Sequence, residues 1–218
     1  MKKAFTMLEL VFVIVVIGIL AAAIIPSTRT NPLQEAAIQV LSHIRYTQHL
    51  AMMDDKYDAT DANWYMKRWQ IEFELDVLPD NDVGYTIFSD TTAGSNTVSD
   101  VTEMAISPSN PAKVLSGGTA TIATTNTAMS KKLNLSKSYG ITGLAFGANC
   151  NAATRLTFDH MGRPLQGDRI DNTEAYDGND LIQNVCDITL SHAEGNIIIR
   201  VEKETGYSCI LNAGGICI

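Results

Sequence analysis

Basic side chains are scarce in this sequence: Lys+Arg number 16 against 24 Asp+Glu, giving a formal charge of -8 and a pI near 4.9. The chain as a whole lacks the cationic footprint that neutralises phosphates, so nucleic acid is not expected among its partners. Cysteine is absent until Cys150. The four cysteines, Cys150, Cys186, Cys209 and Cys217, include no C-x-x-C pair, which favours disulfides over metal ligands in a chain whose N-terminus looks exported. Also missing are a G-x-S-x-G elbow, an H-E-x-x-H helix, a phosphate-cradling glycine loop and any internal repeat, while His43, His49, His160 and His192 are scattered. The expectation is a protein that is not an enzyme. With 218 residues, 45% hydrophobic and 18% charged, one globular core is the default.

Hydrophobicity is concentrated at the start. Phe5 to Ile25 carries one charged side chain, Glu9, in 21 residues, enough at about 1.5 Å per residue to cross a ~30 Å hydrocarbon layer as a helix. Lys2 and Lys3 precede this run and the next basic residue is Arg29, which places the N-terminus in the cytoplasm and the remainder outside. An ordinary secretory signal accounts for part of the pattern, with Ala21-Ala22-Ala23 imitating a cleavage site and a cut at Ala23. Glu9 argues against it. A carboxylate inside an apolar helix costs about 2.5 to 3.5 kcal/mol on insertion scales and is retained where a partner offsets it. A new α-amino group at Phe5, about one helical turn away, or the amine of a packed neighbour, would be that partner.

The string K-K-A-F-T-M-L-E-L, the apolar run and Pro26 together resemble the cleavage and methylation segment of type IV prepilins and pseudopilins. The resemblance implies a leader at residues 1–4, prepilin peptidase cleavage between Ala4 and Phe5, an N-methylated Phe5, Glu9 as the assembly acid and Pro26 as a helix-loosening proline. Ala4 stands where the family usually has Gly, and Met7 where it usually has Leu. Residues 5–27 then form the transmembrane and polymerisation helix.

From Pro32 to Met53, Leu33, Ala36, Ala37, Val40, Leu41, Ile44 and Ala51 recur at three- and four-residue spacing, predicting an amphipathic helix within residues 28–54. If continuous through Pro26, the two helical stretches make a rod of roughly 70 Å. At Trp69 the period switches to two, with Trp69, Ile71, Phe73 and Leu75 expected to face inward. Further strands are expected at Tyr85 to Phe88, Ile141 to Phe146, Arg155 to Phe158, Cys186 to Ser191, Asn196 to Glu202 and Tyr207 to Leu211. The last three form a meander through turns at Glu194-Gly195 and Thr205-Gly206. Residues 89–137, rich in Ser, Thr, Asn, Ala and Gly, read as a long surface excursion carrying one or two edge strands. The predicted fold is α+β: a long N-terminal helix packed on an antiparallel sheet in a domain spanning 55–218.

R-L-T-F-D-H-M-G-R-P, followed by strand, hairpin and E-T-G-Y, is similar to the C-terminal half of the H-type minor pseudopilins, the GspH/FimT group. This implies a pilin-like subunit of a type II secretion pseudopilus, held in the bacterial inner membrane with its C-terminal domain periplasmic. Its implied partners are other pilin-like subunits, prepilin peptidase and the inner-membrane assembly platform. A minor type IV pilin of a pilus or DNA-uptake fibre is the alternative within the class; a secreted ligand-binding β domain is the alternative outside it. Some relatives bind DNA through a basic C-terminal region, whereas the tail C-I-L-N-A-G-G-I-C-I has no basic residue. A local basic face built from Lys131, Lys132 and Lys137 is the remaining route to DNA.

The other constellations have ordinary readings. His160 beside Asp159 reads as a turn residue, and Arg163 with Asp159 as a turn-stabilising ion pair. Asp168, Asp171, Glu174, Asp177 and Asp180 are oxygen-rich enough to suggest Ca²⁺, but their register is wrong for an EF-hand and a solvated acidic loop is the plainer expectation; no other cofactor is implied. Trp64, Tyr65 and Trp69 read as core packing before docking patch. Three cysteine pairings are open. Cys150 with Cys186 and Cys209 with Cys217 is the expected one, the latter closing a short loop that ties down the C-terminus.

Overall fold

The computed structural model describes residues 6–24, 31–91, 98, 100–150, 154–167, 172–177 and 180–218. They fall into two compact units, Met1–Asn31 and Pro32–Ile218. The first unit contains α1 (Met7–Ile24). Pro26 lies outside the described residues, and with it the expected kink and the continuity of the rod.

The second unit opens with α2 (Pro32–Met53), where a proline in the first turn has no needed N–H to lose. Ten strands and a short helix follow: β1 (Trp69–Val77), β2 (Asp82–Ser89), β3 (Ile106–Ser107), β4 (Asn110–Val114), α3 (Leu135–Tyr139), β5 (Ile141–Phe146), β6 (Arg155–Phe158), β7 (Pro164–Gln166), β8 (Cys186–His192), β9 (Gly195–Val201) and β10 (Ser208–Ile210). All their pairings are antiparallel. The α+β architecture expected from the sequence is therefore present, with one difference in its layers. The strands form two four-stranded sheets, β2-β1-β6-β7 and β10-β9-β8-β5, and a β3-β4 hairpin, where a single sheet was expected.

α2 joins the two sheets. It touches β1 and β6 of the first and β8, β9 and β10 of the second. Its buried stripe is the predicted one, Leu33, Ala36, Ala37, Val40, Leu41, Ile44 and Ala51, with the addition of Thr47. The Thr47 hydroxyl is neutralised by donating to the His43 carbonyl (2.8 Å), one turn back. Polar side chains beside the stripe fix the loops: Arg45 Nη2 donates to the Ser208 carbonyl (2.6 Å), and Gln48 Nε2 to the carbonyls of Gly162 and Thr205 (2.8 Å each). At this junction Gly206 has φ +64°, and a Cβ there would lie 2.5 Å from the Gly162 oxygen, so the close approach requires glycine.

In β1 the alternation holds for Ile71 and Phe73, which face Ile87 and Tyr85 across the β2 pair. It fails at Leu75, expected inside and in fact 49% exposed. The register shifts between Glu74 and Val77, and the irregularity turns Val77 inward in place of Leu75. Trp69 is only partly buried, its indole N–H donating to Asp54 Oδ2 (2.8 Å) at the end of α2. The final meander forms as predicted, and Asp187 on β8 sits directly opposite Arg200 on β9 in a two-pronged ion pair (2.8 Å at both prongs).

The excursion is corrected more substantially. Its described residues are not a surface loop: Leu115, Leu133 and Leu135 enter the main core, and Val98, Met104, Val114 and Met129 build a second cluster with Phe88. Single bridges carry it along β2, Phe88 to Met104, Thr86 to Ser116 and Gly84 to Asn134. A Cβ on Gly117 would meet the Leu133 carbonyl carbon at 2.4 Å, so two backbones pack here. The brevity of its apolar runs, such as Met104-Ala105 and Val114-Leu115, concealed this, because none is long enough to show a period. Asn134 is the fully buried joint. Its side-chain amide donates to Asp82 Oδ2 (2.9 Å) and Thr124 Oγ1 (3.1 Å), and its oxygen caps α3 by accepting from the Lys137 N–H (2.9 Å).

Asn134→Ala removes the bonds to Asp82 and Thr124 and the cap of α3 together and should cost about 1 to 3 kcal/mol in chemical denaturation. Lys137→Ala removes an exposed lysine's ion pairs with Asp80 and Asp82 and should change stability by less than about 1 kcal/mol. Equal effects would contradict the structural role assigned to the excursion.

Candidate functional site

The sequence directs attention first to the N-terminal segment. Ala4 and Phe5 lie outside the described residues; Glu9 stands in the first turn of α1. Thr6 caps that turn: its carbonyl accepts from the N–H groups of Glu9 (3.1 Å) and Leu10 (3.2 Å), and its hydroxyl accepts from the Glu9 N–H (3.3 Å). T-M-L-E is thus a capping pattern, with an acid where the positive end of the helix dipole favours one. This gives Glu9 a local stabilising role that the assembly reading overlooks, and the T-x-x-E spacing was the available signal.

The apolar side chains of α1 from Met7 to Leu20 are all exposed, from 37% at Val16 to 85% at Met7. Apolar groups therefore cover every side of the helix, whereas a helix lying on a soluble domain carries one apolar stripe. Among the described residues no helix is long and apolar enough to cross a membrane. The 18 residues of α1 rise about 27 Å at the standard 1.5 Å per residue, just short of a ~30 Å hydrocarbon layer.

In the second unit both expected disulfides are present, Cys150–Cys186 and Cys209–Cys217. The first fixes the segment after β5 to the start of β8; the second folds the C-terminal tail back on β10, where the Ile218 N–H also reaches the Ile210 carbonyl (2.9 Å).

The D-H-M-G-R turn is built by Asp159, not His160. Asp159 is fully buried and its carboxylate accepts four hydrogen bonds: Met161 N–H (2.9 Å), Arg163 N–H (2.8 Å), Arg163 Nε (2.7 Å) and the Tyr176 hydroxyl (3.1 Å). His160 is exposed. Tyr176 brings the acidic loop over this turn. The Arg68 guanidinium lies between the Trp64 ring (4.9 Å) and the Tyr176 ring (4.6 Å), with Arg163 also on Tyr176 (5.1 Å). Of the three aromatics expected in the core, Tyr65 is buried and donates to the Asn172 carbonyl (2.8 Å), whereas Trp64 and Trp69 are half-buried. Asp180 Oδ2 accepts from Asn172 Nδ2 (2.5 Å) and the Asp177 N–H (3.1 Å), which turns the carboxylate to closing its own loop. Asp168 and Asp171 lie outside the described residues, and Glu174 is exposed. Among the described residues no group of three His, Cys, Asp or Glu side chains could hold a metal ion.

Two perturbed groups were invisible in the sequence. Glu74, an ordinary polar position of an alternating strand, is pushed up to about 8 by burial, by the neighbouring Glu72 charge and by Asp76; Arg155, ion-paired with Glu72, partly opposes this. Burial lowers His43 to about 4; its Nδ1 is 2.6 Å from the Tyr85 hydroxyl.

Compared with known proteins, the chain matches no family model, no curated protein and no solved structure.

The two shifts have opposite consequences for stability. Glu74 holds a proton when folded that it loses when unfolded, so its contribution is full below about pH 4.5 and is lost as pH rises towards 8. His43 stays neutral when folded, so its contribution is lost as pH falls from 6.5 to about 4. Glu74→Gln should therefore raise Tm relative to the parent at pH 8 and leave it nearly unchanged at pH 4. A gain of equal size at both values would exclude a buried, protonated Glu74.

Proposed function

We propose that the chain is a pilin-like structural subunit, anchored in the bacterial inner membrane and assembled through its N-terminal helix, in the version of a minor pseudopilin of a type II secretion pseudopilus. The observation that carries this reading is α1, apolar on every side and exposed from Met7 to Leu20, in a chain whose second unit has its own core. Such a surface needs lipid or other apolar helices around it. The 21-residue apolar run Phe5 to Ile25 has the length for the first, and identical helices of neighbouring subunits provide the second.

The K-K-A-F-T-M-L-E-L string supplies the processing step. Cleavage between Ala4 and Phe5 by prepilin peptidase removes Lys2 and Lys3 and exposes an α-amine, methylated in the finished subunit, for Glu9 of a neighbour to pair with. The oxidised, disulfide-bonded second unit suits a periplasmic location. A minor pilin of a type IV pilus or DNA-uptake fibre is the second reading, favoured by the lysines Lys113, Lys131 and Lys132 lining one cavity.

The mature N-terminus decides the class. Mass spectrometry of the membrane-derived protein should give N-methylated Phe5, with the side-chain charge moving from -8 to -10; a mature N-terminus at Ile24 would sink the reading. Glu9→Gln should insert at least as well as the parent, since it removes a charge from an apolar run, yet co-purify several-fold less with the other pilin-like subunits. In a gel shift at low salt no duplex DNA complex is expected; a salt-sensitive complex of micromolar affinity would move the assignment to the uptake fibre.

A further inference from the structure

A cavity of about 440 Å³ opens in the second unit where α2, the β3-β4 hairpin and residues 129–133 meet. Its floor is apolar, Leu115, Met129 and Leu133, all buried. Its lining includes three lysines, Lys113, Lys131 and Lys132, and, among the described residues, no carboxylate. In a chain of net charge -8 that local composition is unexpected. Lys131 and Lys132 are exposed and have no acidic partner among the described residues, while Lys113 donates to the Thr127 carbonyl.

The wall on the α2 side is rigid. Tyr139 donates to Gln39 Oε1 (2.7 Å), and Gln39 Nε2 donates to the Tyr85 hydroxyl (2.9 Å) and to the Lys132 carbonyl (3.0 Å). The backbone that carries the lysines is thus tied to α2, and the pocket is formed before any ligand arrives. Ser107, Ser109, Ser130 and Asn110 add neutral hydrogen-bonding groups.

We propose that this cavity is a binding site for a small amphiphilic organic anion, with its apolar body on Leu115, Met129 and Leu133 and its carboxylate or sulfonate between Lys131, Lys132 and Lys113. The volume is in the range of small-molecule sites, roughly 300 to 1,000 Å³, and an apolar floor with a few placed charges is their usual composition. A bare anion would leave the floor wet. A neutral apolar molecule would leave three cations without a counter-charge. The site stands on geometry of the second unit alone and does not depend on the pilin-like reading.

The test is amine footprinting of the full-length protein with acetic anhydride, read lysine by lysine by mass spectrometry, which distinguishes site occupancy from partition into detergent. At saturating 2-naphthoate the labelling of Lys131 and Lys132 should fall at least fivefold, with Lys203, exposed and outside the cavity, unchanged. Naphthalene-2-methanol and inorganic phosphate should each protect weakly. In the Lys131→Glu/Lys132→Glu variant, both changes at exposed positions, protection of Lys113 by 2-naphthoate should be lost. Equal protection of Lys203, equal protection by phosphate, or retained protection of Lys113 in the variant would overturn the proposal. So would protection by a DNA duplex without protection by 2-naphthoate, which would indicate phosphate-backbone contact instead.

Discussion

Burial of one stripe of α2 is the constraint on which the second unit depends. Neither four-stranded sheet can cover its inner face alone, and α2 lies against both, so the same row of side chains closes two layers at once. Small residues make this geometrically feasible. Ala36 and Ala37 are fully buried and keep the helix close to the strands, while Val40 and Ile44 fill the space between them. The polar positions beside the stripe are used too, since Arg45, Gln48 and the Gln39–Tyr85–His43 group hold loops and strand ends that have few apolar contacts of their own.

Several buried titratable groups elsewhere are compensated by hydrogen bonds or by loss of charge, whereas Arg68 Nη2 is buried without a hydrogen-bond partner among the described residues, its guanidinium lying between two aromatic rings. Asp159 is wholly buried and takes four donors, including an arginine. Glu74 lacks a cation of its own beside Glu72 and keeps its proton instead. His43 solves the same problem by staying neutral against Tyr85. These groups make the stability of the second unit depend on pH.

The two units treat their apolar side chains differently, and this contrast supports the proposed role more than any single residue does. The second unit hides its apolar side chains around α2; α1 hides none of its large ones between Met7 and Leu20. Thr6 and Glu9 finish the start of that helix, where four N–H groups would otherwise be bare.

Local periodicity was enough to determine α2 and its buried face, the β1 strand and the final meander, because in each the spacing of side chains alone states which face is covered; among three open cysteine pairings it could not choose, and the structure forms Cys150–Cys186 and Cys209–Cys217. The apolar run and its one acid were likewise legible without a fold. Three features needed the tertiary structure. The segment 89–137 looked like a surface excursion because its apolar runs are brief, yet Leu115, Met129, Leu133 and Leu135 are buried in clusters with residues of distant strands. Leu75 left the core because a register shift in β1 answers to its partner strand and not to its own alternation. The burial of His43 and Glu74 and the meeting of Lys113 with Lys131 and Lys132 in one cavity come from packing between segments distant along the chain, although the charges beside Glu74, those of Glu72 and Asp76, stand two residues away in the same strand.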